Sequence, residues 1–476
     1  MRLDTRSSQM LTVNVAPGFN LEQRYIISVL LDEFLGVPFT IAESPSVGPF
    51  VSISAEGRIL LLQQTLFRGQ QQCLTGAQSL PARPLPLLFP DREELDAGLF
   101  CDKTVPIIYG APGGDGRWIA RSPGKIVITA DILGSSFFML SRMEEVIKRD
   151  RDVHGRFRST ASLAYQEKFL NRPIVNEYLE ILWAAMRLLW PGLKRKRRAF
   201  QLGLSHDVDR PFSYQPFEAS GWLRPVAGDL LKRHNPGRAM NGLINGGLAL
   251  AGLPHQDPLN TFDWLMEKSE SAGVASTFYF LAGGDTEYDT PYSLKTRRLK
   301  RLARKIASRG HEIGLHPSYS TLRDGTLLRT EVSMLGRLLE GEGIDQREFG
   351  GRQHYLRWEA PVTWQFYEDR GLTHDSSVCY ADHAGFRCGV CYDYPVFNIL
   401  TRKPLKLIER PLLIMDGTLF NRQYMNLDHS AAEGFVSRIR SNVERYNGVF
   451  RLLWHNSWFV RGDREKHFYE WAISGS

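Results

Sequence analysis

Three apolar runs in this chain end in the same way, and that repetition limits the fold more than any other feature. Phe200, Leu202 and Leu204 alternate and then give way to Ser205-His206-Asp207-Val208-Asp209-Arg210-Pro211. Ile313 and Leu315 lead into His316 and Pro317, and Leu452-Leu453-Trp454 leads into His455. Alternation with period two describes a strand with one buried face, and proline stops a strand because it has no N–H to donate. Each run therefore reads as a buried strand carrying a titratable group at its C-terminal end, where α/β folds place their chemistry. Residues i and i+2 of a strand point the same way, so Asp207 and Asp209 are expected to face one pocket. Two anions that close repel each other unless a cation or a shared proton settles them. A metal bound by one Asp, with the other as general base, is one reading. A turn whose Asp residues cap backbone N–H groups is the other.

The 476 residues exceed what one small core needs, so two domains are expected. From residue 260 onward, helical and strand patterns alternate with short connections up to a last strand at Val449–Trp454, which describes a parallel sheet or barrel. Residues 1 to about 190 contain strands, a helix expected over Leu21–Leu35, a dense Leu/Trp helix at Asn176–Trp190, and no chemical motif. The basic run Lys194–Arg198, KRKRR, makes a natural boundary between domains 1–195 and 196–476. It reads as a solvated linker, or as a contact for anionic lipid, nucleic acid or a sugar nucleotide. Residues 212–258, weakly periodic and rich in Pro, Gly and aromatics, read as an insertion with one or two short helices.

Hydrophobic residues at 43% and charged residues at 23% describe an ordinary globular protein. No apolar run approaches the length that spans a bilayer, and MRLDTRSSQM lacks the apolar region of a secretory signal, so cytoplasmic residence is expected. Five cysteines are no disulfide framework. The net charge of +7 is mild and no nucleic-acid reading module is recognisable, so nucleic acid is not an expected partner. Cys379, His383, Cys388 and Cys391 have the ligand count of a structural zinc site; three reduced cysteines in a loop are the other reading.

Further candidates stand at the ends of later strands. Arg352, in GGRQHYLR, is suited to pair with a carboxylate and hold it ionised. Near His354 and Tyr355 a backbone N–H is placed to face an oxyanion. His455 suits a general acid, and Asp375, in HDSS, suits the group that orients it. His316 suits zinc or another divalent ion, with Ser320 four residues on.

In order along the chain, SHDVD (205–209), GHEIGLH (310–316), RQHY (352–355), DSS (375–377) and LLWH (452–455) resemble the five motifs of the polysaccharide deacetylase family, the NodB-like carbohydrate esterase family 4. The resemblance implies an α/β fold, a distorted (β/α)7 barrel, here preceded by a smaller α+β N-terminal domain. It also implies a divalent metal, zinc or another transition ion, and hydrolysis of an acyl group on a sugar. By resemblance Asp207 is the general base, Arg352 its partner, Asp209 and His316 metal ligands, Tyr355 the oxyanion-site residue, Asp375 the tuner of the general acid and His455 that acid. Two positions depart from the pattern. Ser320 stands where the family has its second metal histidine, and a serine hydroxyl is a poor zinc ligand; a harder ion, or recruitment of His206 or His354, would answer the loss. His354 itself stands where the family usually has proline. The function expected is removal of an N-acyl group, acetyl or formyl, from a sugar or oligosaccharide that is a precursor or component of a bacterial surface polysaccharide, with peripheral membrane contact open. The alternative is an inactive carbohydrate-binding or scaffold protein that keeps the barrel. Phe212, Tyr214, Phe217, Trp222 and Trp358 are candidates to stack on sugar rings or to fill the core.

Overall fold

The computed structural model describes residues 10–475 apart from 19, 69–73, 214–218, 232, 233, 235, 252–255 and 291. The chain forms two compact units, each assembled from two stretches: Met1–Leu202 with Tyr355–Arg451, and Gly203–His354 with Leu452–Ser476. The first stretch thus ends close to the expected boundary at 195, but residues 355–451, expected in the second domain, fold with the first.

The first unit opens with strands β1 (Leu11–Val15), β2 (Phe39–Glu43), β3 (Phe50–Ala55), β4 (Arg58–Gln63), β5 (Leu87–Leu88), β6 (Val105–Pro106), β7 (Ile119–Ser122) and β8 (Lys125–Ile128). Six of them form a mixed sheet in the order β2-β1-β3-β4-β8-β7. Leu11, Val13 and Val15 of β1 are buried in alternation, as period two requires. β3 and β4 are joined by Glu56-Gly57, both at positive φ, the two-residue turn whose twist matches an antiparallel pair. The helix expected over Leu21–Leu35 is present in two parts. An α-helix at Leu21–Ser28, started by an Asn20/Gln23 capping box, passes into a π-helix at Val29–Phe34, where Leu35 N–H reaches back to Leu30 O.

The chain next forms most of β9 (Gln201–Val208), then β10 (Ser276–Leu281) and β11 (Glu312–His316) of the second unit. It returns to the first unit with β12 (His374–Asp375), β13 (Tyr394–Asn398), β14 (Lys403–Glu409) and β15 (Ile414–Met415), and ends with β16 (Val449–Leu453) running into the second unit. β12, β14 and β13 form a small sheet in that order.

A buried ionic cluster ties residues 355–451 to the N-terminal stretch. Glu145 Oε1 accepts from Arg142 Nη2 at 2.8 Å, and its Oε2 from Arg387 Nη2 at 2.5 Å. All three side chains are 1–2% exposed, and the Arg387 guanidinium also lies over the rings of Tyr380 and Trp358. Trp358, a candidate for sugar stacking, is therefore core, packed edge-on against Trp364.

In the second unit the sheet order is β11-β10-β9 followed by β16. β9, β10 and β11 are parallel, so the segments between them must cross over, and helices do so. The helix Arg297–Ser308 buries Leu299, Leu302, Ala303 and Ile306, one face of a 3.6-residue period, and is capped by the Thr296 hydroxyl. The helix Gly325–Gly341 is capped by Asp324 and buries Leu328, Leu335 and Leu338 together with Glu331. Beyond β11 the edge continues only as a single parallel bridge, Leu315 to Gly351. His354–Leu356 then coils, with Tyr355 and Leu356 at φ 60° and 51°. Strand pairing stops there, and among the described residues the expected closed (β/α)7 barrel is not found. The insertion holds two helices, Ala219–Leu231 and Pro236–Leu250. Phe212 is buried, whereas Tyr214, Phe217 and the Trp222 side chain lie outside the described residues. No helix among the described residues is long and apolar enough to cross a membrane.

Burial pushes the Glu145 carboxyl up, but Arg387 and Arg142 outweigh it and hold it at about 2. Glu145→Gln is expected to cost about 3–5 kcal/mol in denaturant unfolding, because two buried guanidinium groups lose their counter-charge. A depressed carboxyl contributes stability above its unfolded pKa and loses it as pH falls through the folded one. The wild type should therefore lose this contribution between about pH 4.5 and pH 2, and Glu145→Gln should show a flatter stability profile across that window.

Candidate metal centre

The parallel register sets the level of the strand exits. Val208 is opposite Phe280, and Leu281 is opposite His316. One step past β9, Asp209 therefore stands level with Leu281 and His316, and Asp207, with Tyr279 beside it, points to the same face. Tyr292 fixes these exits: its hydroxyl donates to Val208 O at 2.8 Å and accepts from Leu281 N–H at 2.7 Å. His206 points to the opposite face, where it packs on Phe278 and its Nδ1 meets Trp454 O at 2.9 Å. Burial pulls its pKa down to about 4, so it is a neutral core histidine and not the replacement ligand.

Three ligand-type atoms converge at Asp209, His316 and His354. Asp209 Oδ1 lies 3.1 Å from His316 Nε2 and 3.6 Å from His354 Nε2, and no hydrogen bond of acceptable geometry reaches that buried oxygen. Each imidazole is oriented through its other nitrogen. His316 Nδ1 donates to Arg352 O at 2.5 Å, and His354 Nδ1 donates to Asp289 Oδ1 at 2.9 Å. Engaging Nδ1 as a donor leaves Nε2 with its lone pair, the atom a metal takes, and a carboxylate behind the imidazole raises its basicity. Three lone pairs aimed at one another demand a positive charge between them. Burial pushes the Asp209 carboxyl up, yet His354, His316 and His455 hold it far below the carboxylate range. Burial alone would lower His316, but Asp207, Asp209 and the Arg352 carbonyl raise it. A nitrogen–nitrogen–oxygen set suits zinc or a neighbouring transition ion. Asp209 keeps 30% of its side chain exposed, leaving one side of the group open.

Asp207 and Arg352 stand beside this group. Arg352 Nη1 donates to Asp207 Oδ1 at 2.9 Å, with both side chains buried, and the guanidinium lies 4.4 Å from the Tyr279 ring centroid. Gly314 makes room for that ring, since a Cβ there would meet Tyr279 Cδ1 at 2.4 Å. Asp207 Oδ2 is 3.6 Å from His316 Nε2. His455, 21% exposed, places Nε2 3.6 Å from Asp209 Oδ2. It is held by its neighbours: Trp454 N–H donates to Ser205 O, and Asn456 Nδ2 donates to Arg210 O and Leu259 O.

Ser320 belongs to the 3-10 turn Tyr319–Leu322, and the converging group has His354 as its second imidazole. Asp289 was not a sequence candidate. It lies in the loop after β10 and also accepts from Tyr319 N–H and the Thr286 hydroxyl; its only sequence signal is its place beyond a strand's C-terminal end. Glu331, buried on the helix Gly325–Gly341, accepts from Ser318 N–H and Oγ, and burial pushes its carboxyl up to about 7. Tyr355 and Asp375 belong to the first unit. There the Tyr355 carbonyl accepts from Arg156 Nη1 at 2.9 Å and its ring meets that of His154 at 5.1 Å, while Asp375 Oδ1 accepts from Ser377 N–H and Oγ. The cysteine loop forms no metal group among the described residues. Its three cysteines form no disulfide and are buried, burial pushes the thiols of Cys388 and Cys391 well up, and His383 Nδ1 is taken by Ala384 O. The ligand-type atoms of Cys379, His383, Cys388 and Cys391 do not converge on one point, so the structural-zinc reading gives way to buried cysteines.

Residues 12–191 match the model of a family described as a family of unknown function (DUF7033). No curated protein matches the chain. Among solved structures, a candidate polysaccharide deacetylase of Mycobacterium smegmatis is 17% identical, with a TM-score of 0.37, over 59% of this chain and 84% of that one. Puue allantoinase is 15% identical, with a TM-score of 0.31, over 45% of this chain and 65% of that one. Both TM-scores lie below 0.5, so the chemistry is read from this chain's own residues.

Elemental analysis should find about one transition ion per chain. His316→Ala and His354→Ala should each abolish it, Ser320→Ala should keep it, and Asp289→Asn should weaken affinity roughly 10–100-fold in competition with a chromogenic chelator. Full retention by His354→Ala would remove that residue from the ligand set.

Proposed function

We propose that the second unit is the catalytic part of a metal-dependent hydrolase that removes an N-acyl group, acetyl or formyl, from a sugar or oligosaccharide. The observation that carries this reading is the convergence of Asp209, His316 and His354 on one point, with a buried carboxylate–guanidinium pair and a partly exposed histidine beside it. Binding alone needs neither of those flanking groups. Asp209, His316 and His354 would hold the ion. When bound, a divalent ion supplies Lewis acidity toward an acyl carbonyl and lowers the pKa of water from 15.7 to about 7.

The chain's own residues divide the remaining work. Asp207, paired through Oδ1 with Arg352 and with Oδ2 3.6 Å from His316 Nε2, takes the proton of the attacking water. Arg352 cannot take that proton away from Asp207, since a guanidinium does not release or accept protons in this range. His455, with Nε2 3.6 Å from Asp209 Oδ2, gives a proton to the departing amine. The oxyanion and acid-tuning roles that the motif resemblance gives Tyr355 and Asp375 belong to residues of the first unit and enter no step here. A sugar of a surface polysaccharide, met in the cytoplasm or at a membrane surface, is the substrate class that the motif resemblance favours.

Metal-loaded protein should release free amine and the matching acid from N-acetyl or N-formyl hexosamine derivatives. Asp207→Asn should lower kcat by roughly 10²–10⁴-fold with metal content unchanged. Saturable sugar binding by metal-loaded wild type with no acyl release from any N-acyl sugar would sink the hydrolase and leave the carbohydrate-binding reading.

A further inference from the structure

The run KRKRR is not absorbed by the metal centre, and it does not stand as a bare solvated linker. Within the first unit, Arg195, Lys196, Arg197 and Arg198 rim a cavity of about 240 Å³ whose floor includes Phe34 and Tyr392. The floor is buried and aromatic, with the two rings edge to face at 5.3 Å. The rim carries four cations, and no acidic residue lines the cavity. Two of the four are committed in part. Arg195 Nη1 is paired with Glu180 at 2.6 Å, and Arg198 Nη2 donates to Glu33 O at 2.6 Å while its guanidinium lies 4.2 Å from the Tyr392 centroid. The Arg198 Nε is buried and has no hydrogen-bond partner. Lys196 and Arg197 have no side-chain partner among the described residues. The Lys196 backbone is nonetheless fixed, its N–H donating to Leu35 O, and its Cβ approaches Gly36 so closely that a side chain at 36 would collide with it.

Successive cations held in one concave wall repel each other, and an anion seated among them relieves that repulsion while meeting guanidinium donors with charge-assisted hydrogen bonds. The aromatic floor adds an apolar surface that a bare inorganic ion would not need. The volume lies below the roughly 300–1,000 Å³ of clefts that enclose drug-sized ligands, so the cavity takes the end of a ligand and leaves the rest outside. We infer that this cavity is a binding site for the phosphate or diphosphate end of an organic ligand, such as a sugar phosphate, a nucleotide or a lipid headgroup, held by Lys196, Arg197 and Arg198. The inference is independent of the metal centre and of the hydrolase proposal.

Calorimetric titration of the full chain with inorganic pyrophosphate at low salt tests it. Binding should be saturable, should weaken as salt rises, and should fall by about tenfold or more in the Arg198→Gln variant, the loss of a hydrogen bond to a charged group. Because Arg198 also packs on Tyr392, the exposed double variant Lys196→Gln/Arg197→Gln is the second arm; it should keep the wild-type melting temperature and lose binding to the same extent. Flotation with phosphatidylcholine vesicles, with and without phosphatidate, separates the sources. Retention on phosphatidate vesicles that pyrophosphate competes away assigns a lipid headgroup. Pyrophosphate binding without vesicle retention assigns a soluble phosphorylated ligand. No pyrophosphate binding, or binding that both variants leave intact, overturns the site.

Discussion

The second unit turns on Arg352. Its guanidinium is wholly buried, a state that costs several kcal/mol unless a counter-charge and hydrogen bonds compensate, and Asp207 supplies both. The Tyr279 ring, admitted by Gly314, covers one face of the guanidinium. Its backbone does as much as its side chain. Arg352 N–H donates to Leu315 O, which extends the sheet by one step, and Arg352 O fixes the tautomer of His316. One residue thus gives Asp207 its ion-pair partner, extends the sheet edge and fixes the lone pair of a metal-type ligand. Replacing it by lysine keeps the charge and the backbone bonds to Leu315 and His316 but loses the planar fork that meets Asp207.

The strand exits of this unit were legible because period two, proline and a titratable residue coincide in one short stretch. Asp207, Asp209 and His316 needed nothing beyond their own strands, and parallel register does the rest by bringing the exits to one level. His354 was visible only as a departure from a motif. Its partner Asp289 comes from a loop 65 residues earlier in the chain, and no local pattern links a loop aspartate to a histidine that far away. The same limit explains the cysteine loop. CxxC spacing describes what two thiols are able to reach, whereas whether they meet further ligands at one point is decided by the residues packed around them.

Unit composition was beyond reach for a related reason. A basic run after a helix looks like a boundary, and the first stretch does end soon after it. What the run could not reveal is that Glu145 finds its second guanidinium 242 residues away, in Arg387. Such a pair is costly to bury and costly to break, so once formed it commits residues 355–451 to the N-terminal stretch. The segment matching the family of unknown function is therefore one part of a larger folded body in this chain.

Tyr355 shows what that body does locally. Tyr355 and Leu356 are consecutive non-glycine residues in the left-handed region, each costing about 1–3 kcal/mol, and such backbone persists only where its surroundings over-determine it. Those surroundings are supplied by the short stretch 152–156. Arg156, itself fixed by Asp152 at 2.7 Å, donates to the Tyr355 carbonyl and to the Tyr424 hydroxyl. The His154 carbonyl accepts from Arg357 Nε at 2.7 Å, two residues beyond Tyr355. Hydrogen bonds on both sides of the strained pair offset its cost, and they come from the N-terminal stretch. The strain at Tyr355 and Leu356 is thus held in place by hydrogen bonds within the first unit itself.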